Sequence, residues 1–373
     1  MQTSVLLVLL SLCLLNGCKP LSEEEKRWEI LCNKAESGDP VAQENLAFAY
    51  HYSKKIKNIS EAVKWYKKSA EQGNAEAQFS LGKMYIAGEG VPRDYVESAR
   101  LLGLSVAQGN SASMYYLAWL YAKGKGVDRD YELAAKLFQQ ANNSLRKDHL
   151  FEDLWSREDE TLWYLEAAGQ GVIYAQYVSA QRLEGGQDFK GAIEWYSKAA
   201  SKGHPPSLLR LGDMYYKGVP GIPREYSQAI KWWSLLGEQG DEVIQTRLGY
   251  MHKRGEGASP SLKQAQAWFQ KAAMVGHASA MVGLGELWSD LGADPANAKI
   301  ISYAWYNLAV SYAEDFDVKD KGFSGRDKVQ HTMGPAEINE AQRMSGELGK
   351  EIEARRKASG RPRIIPAGSG VSR

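Results

Sequence analysis

The chain has 373 residues, 44% of them hydrophobic and 24% charged, with 46 basic against 45 acidic side chains. This composition is globular, and the near-zero net charge gives no global drive towards nucleic acid or anionic membrane. The cysteines, Cys13, Cys18 and Cys32, all lie near the N-terminus, so no disulfide can staple the body.

Val5 to Leu15 is apolar apart from Ser11, the length of a signal-peptide core and too short for a bilayer span. Leu15-Asn16-Gly17-Cys18 follows at once and resembles the bacterial lipobox, with Leu at −3, a small residue at −1 and then the acylated cysteine. Residues 1–17 therefore read as a signal peptide, Cys18 as the lipidation site and 18–33 as a linker. An ordinary secretory signal cleaved nearby is the alternative.

From residue 34 the chain repeats. Gly38, Gly73, Gly109, Gly171, Gly203, Gly240 and Gly276 are spaced by 35, 36, 62, 32, 37 and 36 residues, and Trp195, Trp232, Trp268 and Trp305 keep the same period. Eight residues after each glycine stand Leu46, Leu81, Leu117, Ser179, Leu211, Leu248 and Leu284, each followed by Ala or Gly. Four residues before them is a residue that is small in all but one repeat, so these positions form one stripe of a helix that allows close packing. A second helix carries Ala62, Trp65, Tyr66 and Ala70, a spacing repeated by Ala192, Trp195, Tyr196 and Ala200. Turns such as Gly88 to Asp94 and Gly124 to Asp130 join the two helices, with glycines for positive φ and Pro or Asp for a fresh start.

The 62-residue interval breaks the pattern. Trp163-Tyr164 to Gly171 supplies a second-helix signature with no first helix before it, and 142–160 reads as an irregular insertion or a worn first helix. This segment combines Phe151, Leu154 and Trp155 with six carboxylates, among them Asp153 and Glu158. Specificity in a regular array belongs where regularity fails, which makes Phe151, Asp153, Trp155 and Glu158 the candidate partner-binding residues. After Val310, residues 311–358 read as a capping region whose helix starts at Pro335, and the breaker-rich 359–373 as a mobile tail.

Ala75 to Tyr85 followed by Gly88, Gly90, Val91 and Asp94, and Ala62 to Gly73, resemble the Sel-1-like repeat, a relative of the tetratricopeptide repeat. The resemblance spans 34–310 and implies an all-α, right-handed solenoid of about seven helix pairs closed by a C-terminal helix. It implies an adaptor that binds a protein or peptide. No metal, nucleophile or phosphate-loop signature stands against that: the glycine loops follow helices and recur at the repeat period, so they are turns. His149 beside Asp148, Glu152 and Asp153 is a solvated acidic stretch before it is a ligand set. The expected protein is therefore a non-enzyme without cofactor, bound to no nucleic acid and meeting the membrane only through Cys18. Lys19 in place of an Asp points to the bacterial outer membrane, the solenoid facing the periplasm. An immunity protein against a delivered toxin and a glycan-binding envelope protein are the alternatives.

Overall fold

A computed structural model describes residues 23–144, 157–290 and 295–360, which contain eighteen helices and no strand. The chain divides into two compact units, the first ending at Tyr174 and the second starting at Ala175.

In the first unit, α1 (Glu23–Glu36) precedes three helix pairs: α2 (Pro40–Tyr52) with α3 (Ile59–Glu71), α4 (Ala75–Ala87) with α5 (Tyr95–Ala107), and α6 (Ser111–Lys123) with α7 (Tyr131–Ser144). From α1 to α7 each helix packs on its chain neighbours. Helix α8 (Arg157–Gly169) then lays Trp163 and Tyr164 against Phe138 of α7, with ring centroids 5.2 and 6.1 Å apart. The caps are local chemistry: the Asn74 and Asn110 side chains accept from the amides of Ala77 and Ser113, and Asp39 from those of Val41 and Ala42.

Glutamines tie the layers. Gln78 of α4 donates through its amide to the Ala70 carbonyl of α3 (3.2 Å) and accepts from Gln108 just after α5 (2.9 Å). Gln43 repeats the arrangement one layer earlier, donating to the Ala35 carbonyl and accepting from Gln72. A buried amide is tolerated because both its ends are satisfied.

The second unit continues with α9 (Ile173–Gly185) and α10 (Phe189–Ser201), α11 (Pro205–Lys217) and α12 (Tyr226–Glu238), α13 (Glu242–Arg254) and α14 (Leu262–Ala273), and α15 (Ala278–Asp290) and α16 (Pro295–Tyr312). Helices α17 (Phe316–Gln330) and α18 (Pro335–Ala358) close it. Here the small residue after the marker Leu meets the ring of its own repeat's second helix. A Cβ on Gly249 would stand 2.5 Å from the Phe269 ring, and one on Gly285 2.8 Å from Tyr306. Helix α18 lies along α16 with Tyr312 donating to Glu353 (2.9 Å), buries Ile352, and ends with Arg356 donating to the Val275 carbonyl (2.7 Å) beyond α14.

One boundary differs from the sequence reading, and two segments gain detail. The linker assigned to 18–33 is helical from Glu23, because Trp28, Leu31, Cys32 and Ala35 give α1 an apolar stripe that packs on α2. The irregular segment 142–160 is helical at both ends, within α7 and α8. The capping region holds α17 as well as the expected helix from Pro335. The signal segment and the tail beyond 360 lie outside the described residues.

Candidate functional site

Cys18, Phe151, Asp153 and Trp155, with His149 and its neighbours, lie outside the described residues, and Glu158 stands in the first turn of α8. The structure brings other residues together, on the face made by the first helices of the second unit.

Ion pairs step along that face, each joining one first helix to the next. Glu184 of α9 meets Arg210 of α11, Asp213 of α11 meets Arg247 of α13 at 3.1 Å, and Lys253 of α13 meets both Glu286 and Asp290 of α15, at 3.2 and 3.0 Å. The Arg210 guanidinium holds the Glu184 carboxyl below the usual carboxylate range; burial opposes it, and the Tyr196 hydroxyl helps. Partly exposed pairs of this kind contribute about 0–1 kcal/mol each, so their main effect is to fix where the side chains lie. Arg247 is further pinned by stacking over Trp233, 4.6 Å from the ring centroid.

A groove of three adjoining clefts is lined by Arg247 and Glu286 of these pairs. The first, about 370 Å³, is framed by Tyr216, Arg247, Tyr250, Arg254 and His277. The second, about 260 Å³, shares Tyr250 and Arg254 with it and reaches Glu286 and Lys321. The third, about 580 Å³, shares Glu286 and Lys321 and opens over Trp288, Tyr306 and Lys328. Tyr250 is held edge-on by Phe269 at 4.8 Å. Gly325 of α17 lies directly against Tyr306, and burial raises the Tyr306 phenol to about 12.

The groove offers hydrogen-bonding and stacking groups. Its one histidine–hydroxyl pair is His277 Nδ1 with Thr246 Oγ1 at 2.9 Å. The buried Thr246 hydroxyl donates to the Glu242 carbonyl (2.7 Å), so it is a structural tie and no nucleophile. Among the described residues no cluster of three or more His, Cys, Asp or Glu could hold a metal. In the first unit, a cleft of about 640 Å³ lies by α3, α4 and α5, but its Glu97 and Arg100 are already paired with each other at 2.7 Å.

Stacked helix pairs carrying a pre-formed open groove define a helical-repeat scaffold, a class suited to holding another protein. The Sel1 repeat pattern matches residues 40–74, 75–110, 111–144, 173–204, 205–241 and 245–277, more than half of the chain, and the chain belongs to the Sel1 repeat family. Proteins of this family are generally non-enzymatic interaction scaffolds. The seventh pair, α15 with α16, lies outside the matched repeats, its second helix lengthened to 18 residues.

Similar solved structures include a protective antigen of uropathogenic Escherichia coli with 24% identity, covering 91% of this chain and 83% of that one (TM-score 0.32). A Sel1 repeat protein from Oxalobacter formigenes is 26% identical over 79% of this chain and 88% of its own (TM-score 0.36). An immunity protein from Pseudomonas aeruginosa is 21% identical over 68% and 81% (TM-score 0.23).

Sequence reasoning missed the groove because its residues are spread over α11, α13, α15, α16 and α17 and, Tyr306 apart, sit off the repeat signature. The signal that could have found it is the recurrence of charge at corresponding positions, Arg210 and Arg247 both standing seven residues after a marker glycine.

Proposed function

We propose that this chain is a protein-interaction scaffold held at the bacterial cell envelope through a lipidated Cys18, with the groove of the second unit as its partner-binding surface. The observation that carries the reading is the groove itself. Three clefts adjoin across successive repeats, their walls fixed by ion pairs and aromatic stacking, and that is what a pre-organised surface for an extended protein segment needs. The lipobox-like ending supports the anchor, and no described helix is long and apolar enough to cross a membrane.

A photo-crosslinking residue at the exposed Val243, on the groove, should capture a discrete protein in cells. One at the exposed Lys263, at the start of α14, should not. Equal capture from both, or from neither, rejects the groove. The anchor is tested separately: wild type should take up labelled palmitate and Cys18→Ser should lose both label and membrane association. An unlabelled wild type removes the lipoprotein part and leaves the scaffold part standing.

A further inference from the structure

The groove has a sign. Its lining cations are Arg247, Arg254, Lys299, Lys321 and Lys328, against the carboxylates Glu256, Glu286 and Asp320. Glu286 is already engaged by Lys253 and Arg247 by Asp213, both partners lying outside the clefts, so the excess of two cations stands. In a chain with 46 basic and 45 acidic residues this local excess is no reflection of the average. Three of the cations are also poorly matched. Arg254 makes no hydrogen bond among the described residues, its nearest carboxylate being Glu256 at 3.6 Å, and it rests over the Tyr250 ring instead. Lys321 and Lys328, one turn-pair apart on α17, face the largest of the groove's three clefts with no anionic partner among the described residues.

The spacing of the apolar surface matters as much as the charge. Tyr250 and Trp288 are half-buried rings between the cations, on α13 and α15. A guest that satisfies both features carries carboxylates separated by apolar side chains. A continuous polyanion fits less well, because Glu256 and Asp320 line the same clefts as the cations and would repel it there.

We infer that the groove takes an extended acidic segment of a protein partner. Its Asp and Glu side chains are met by Arg254, Lys321 and Lys328, and its apolar side chains lie on Tyr250 and Trp288. This rests on the groove being the partner surface, and it adds the chemistry of the partner. Arginine presents a planar fork that suits a carboxylate, and the two lysines act as point charges that tolerate variation in the segment.

The test uses the purified chain and a short fluorescent peptide in which Asp and Glu alternate with Leu and Tyr, read by anisotropy. The acidic peptide should bind, weakening as salt rises. Its Asn/Gln counterpart should bind about tenfold more weakly or worse. Arg254→Glu and the pair Lys321→Glu with Lys328→Glu should each weaken the acidic peptide about tenfold with unchanged circular dichroism, whereas Lys263→Glu, off the groove, should leave it intact. All the reversed residues are exposed, so loss of folding is not the expected result. The inference is overturned if the amide peptide binds as well, if a single-stranded oligonucleotide binds more tightly, if groove and off-groove reversals behave alike, or if the acidic peptide does not bind. Crosslinking from Val243 separates the two levels: capture there with a failed acidic peptide leaves the scaffold and removes only the acidic guest.

Discussion

A glycine inside a helix is a cost of about 1 kcal/mol relative to alanine, and the chain accepts it repeatedly at the position after the marker Leu. The structure shows the return: a Cβ on Gly212 would overlap the indole of Trp233, a fully buried ring. Gly212→Ala should therefore destabilise by about 1–3 kcal/mol despite the better propensity, because overpacking outweighs it. Gly103, in α5, is the control. Nothing lies within 4 Å of its Cβ position, so Gly103→Ala should stabilise by about 0.5–1 kcal/mol. Urea unfolding of both variants decides; a stabilised Gly212→Ala would mean that the indole can move aside. That these small residues serve close packing was legible in the sequence, since the stripe recurs. What they pack against was not, because periodicity gives the face of a helix and not its neighbour.

The glutamine relay belongs to the scale of helices, since it joins three of them through one side chain. Gln78→Met keeps the volume but removes a donor to the Ala70 carbonyl and an acceptor for Gln108. The expected loss is about 1–2 kcal/mol, read by thermal or urea unfolding. Gln108→Met added to it should cost little more, its partner being already gone, and fully additive losses would show that the two amides do not work as a pair. Among the elements, the helix pairs themselves were legible, because Ala, Trp and Tyr recur at fixed distances from the marker glycines. Helix α1 was missed although Gly38 announces it: every other marker glycine follows a second helix, and Ala35 stands where Ala70 and Ala200 do. Helix α17 left no such trace. Phe316 and Phe323 are exposed, and Gly322 and Gly325, poor helix formers, are explained only by the approach of Val310 and Tyr306. The groove was hidden for a related reason, its exposed cations Arg254, Lys321 and Lys328 being residues that the packing of the repeat does not require.

Across the whole chain the two units differ in how they should answer to acid. His204, His252 and His277 all belong to the second unit, and burial lowers the pKa of each, with Glu242 and Asp241 opposing the effect at His277. A base with a depressed pKa is neutral when folded, so unfolding takes up protons below its free value of about 6.5. Its contribution to stability is therefore present above that value and is lost as pH falls through the folded pKa, each such group changing stability by at most about 1.4 kcal/mol per pH unit. In the first unit Glu44 runs the other way: burial and the charge of Glu76 raise its pKa, so falling pH relieves it. Between about pH 7.5 and pH 5.5 the second unit should lose stability while the first changes little. Urea titrations at the two values, followed by hydrogen-exchange labelling at one fixed pH, assign the loss to helices; a uniform loss, or one centred on α1 to α8, would contradict it. The clearest variant is His204→Asn. At the start of α11 the His204 side chain caps no backbone amide and instead meets the Ser207 hydroxyl at 2.9 Å, whereas Asn74 and Asn110 at the same register accept from a backbone amide, so Asn exchanges the hydroxyl contact for a cap. The substitution should raise stability by about 0.5–1 kcal/mol and, with one titrating histidine removed, flatten the pH dependence of the second unit. A stabilised variant with an unchanged slope would place the acid response at His252 and His277 alone.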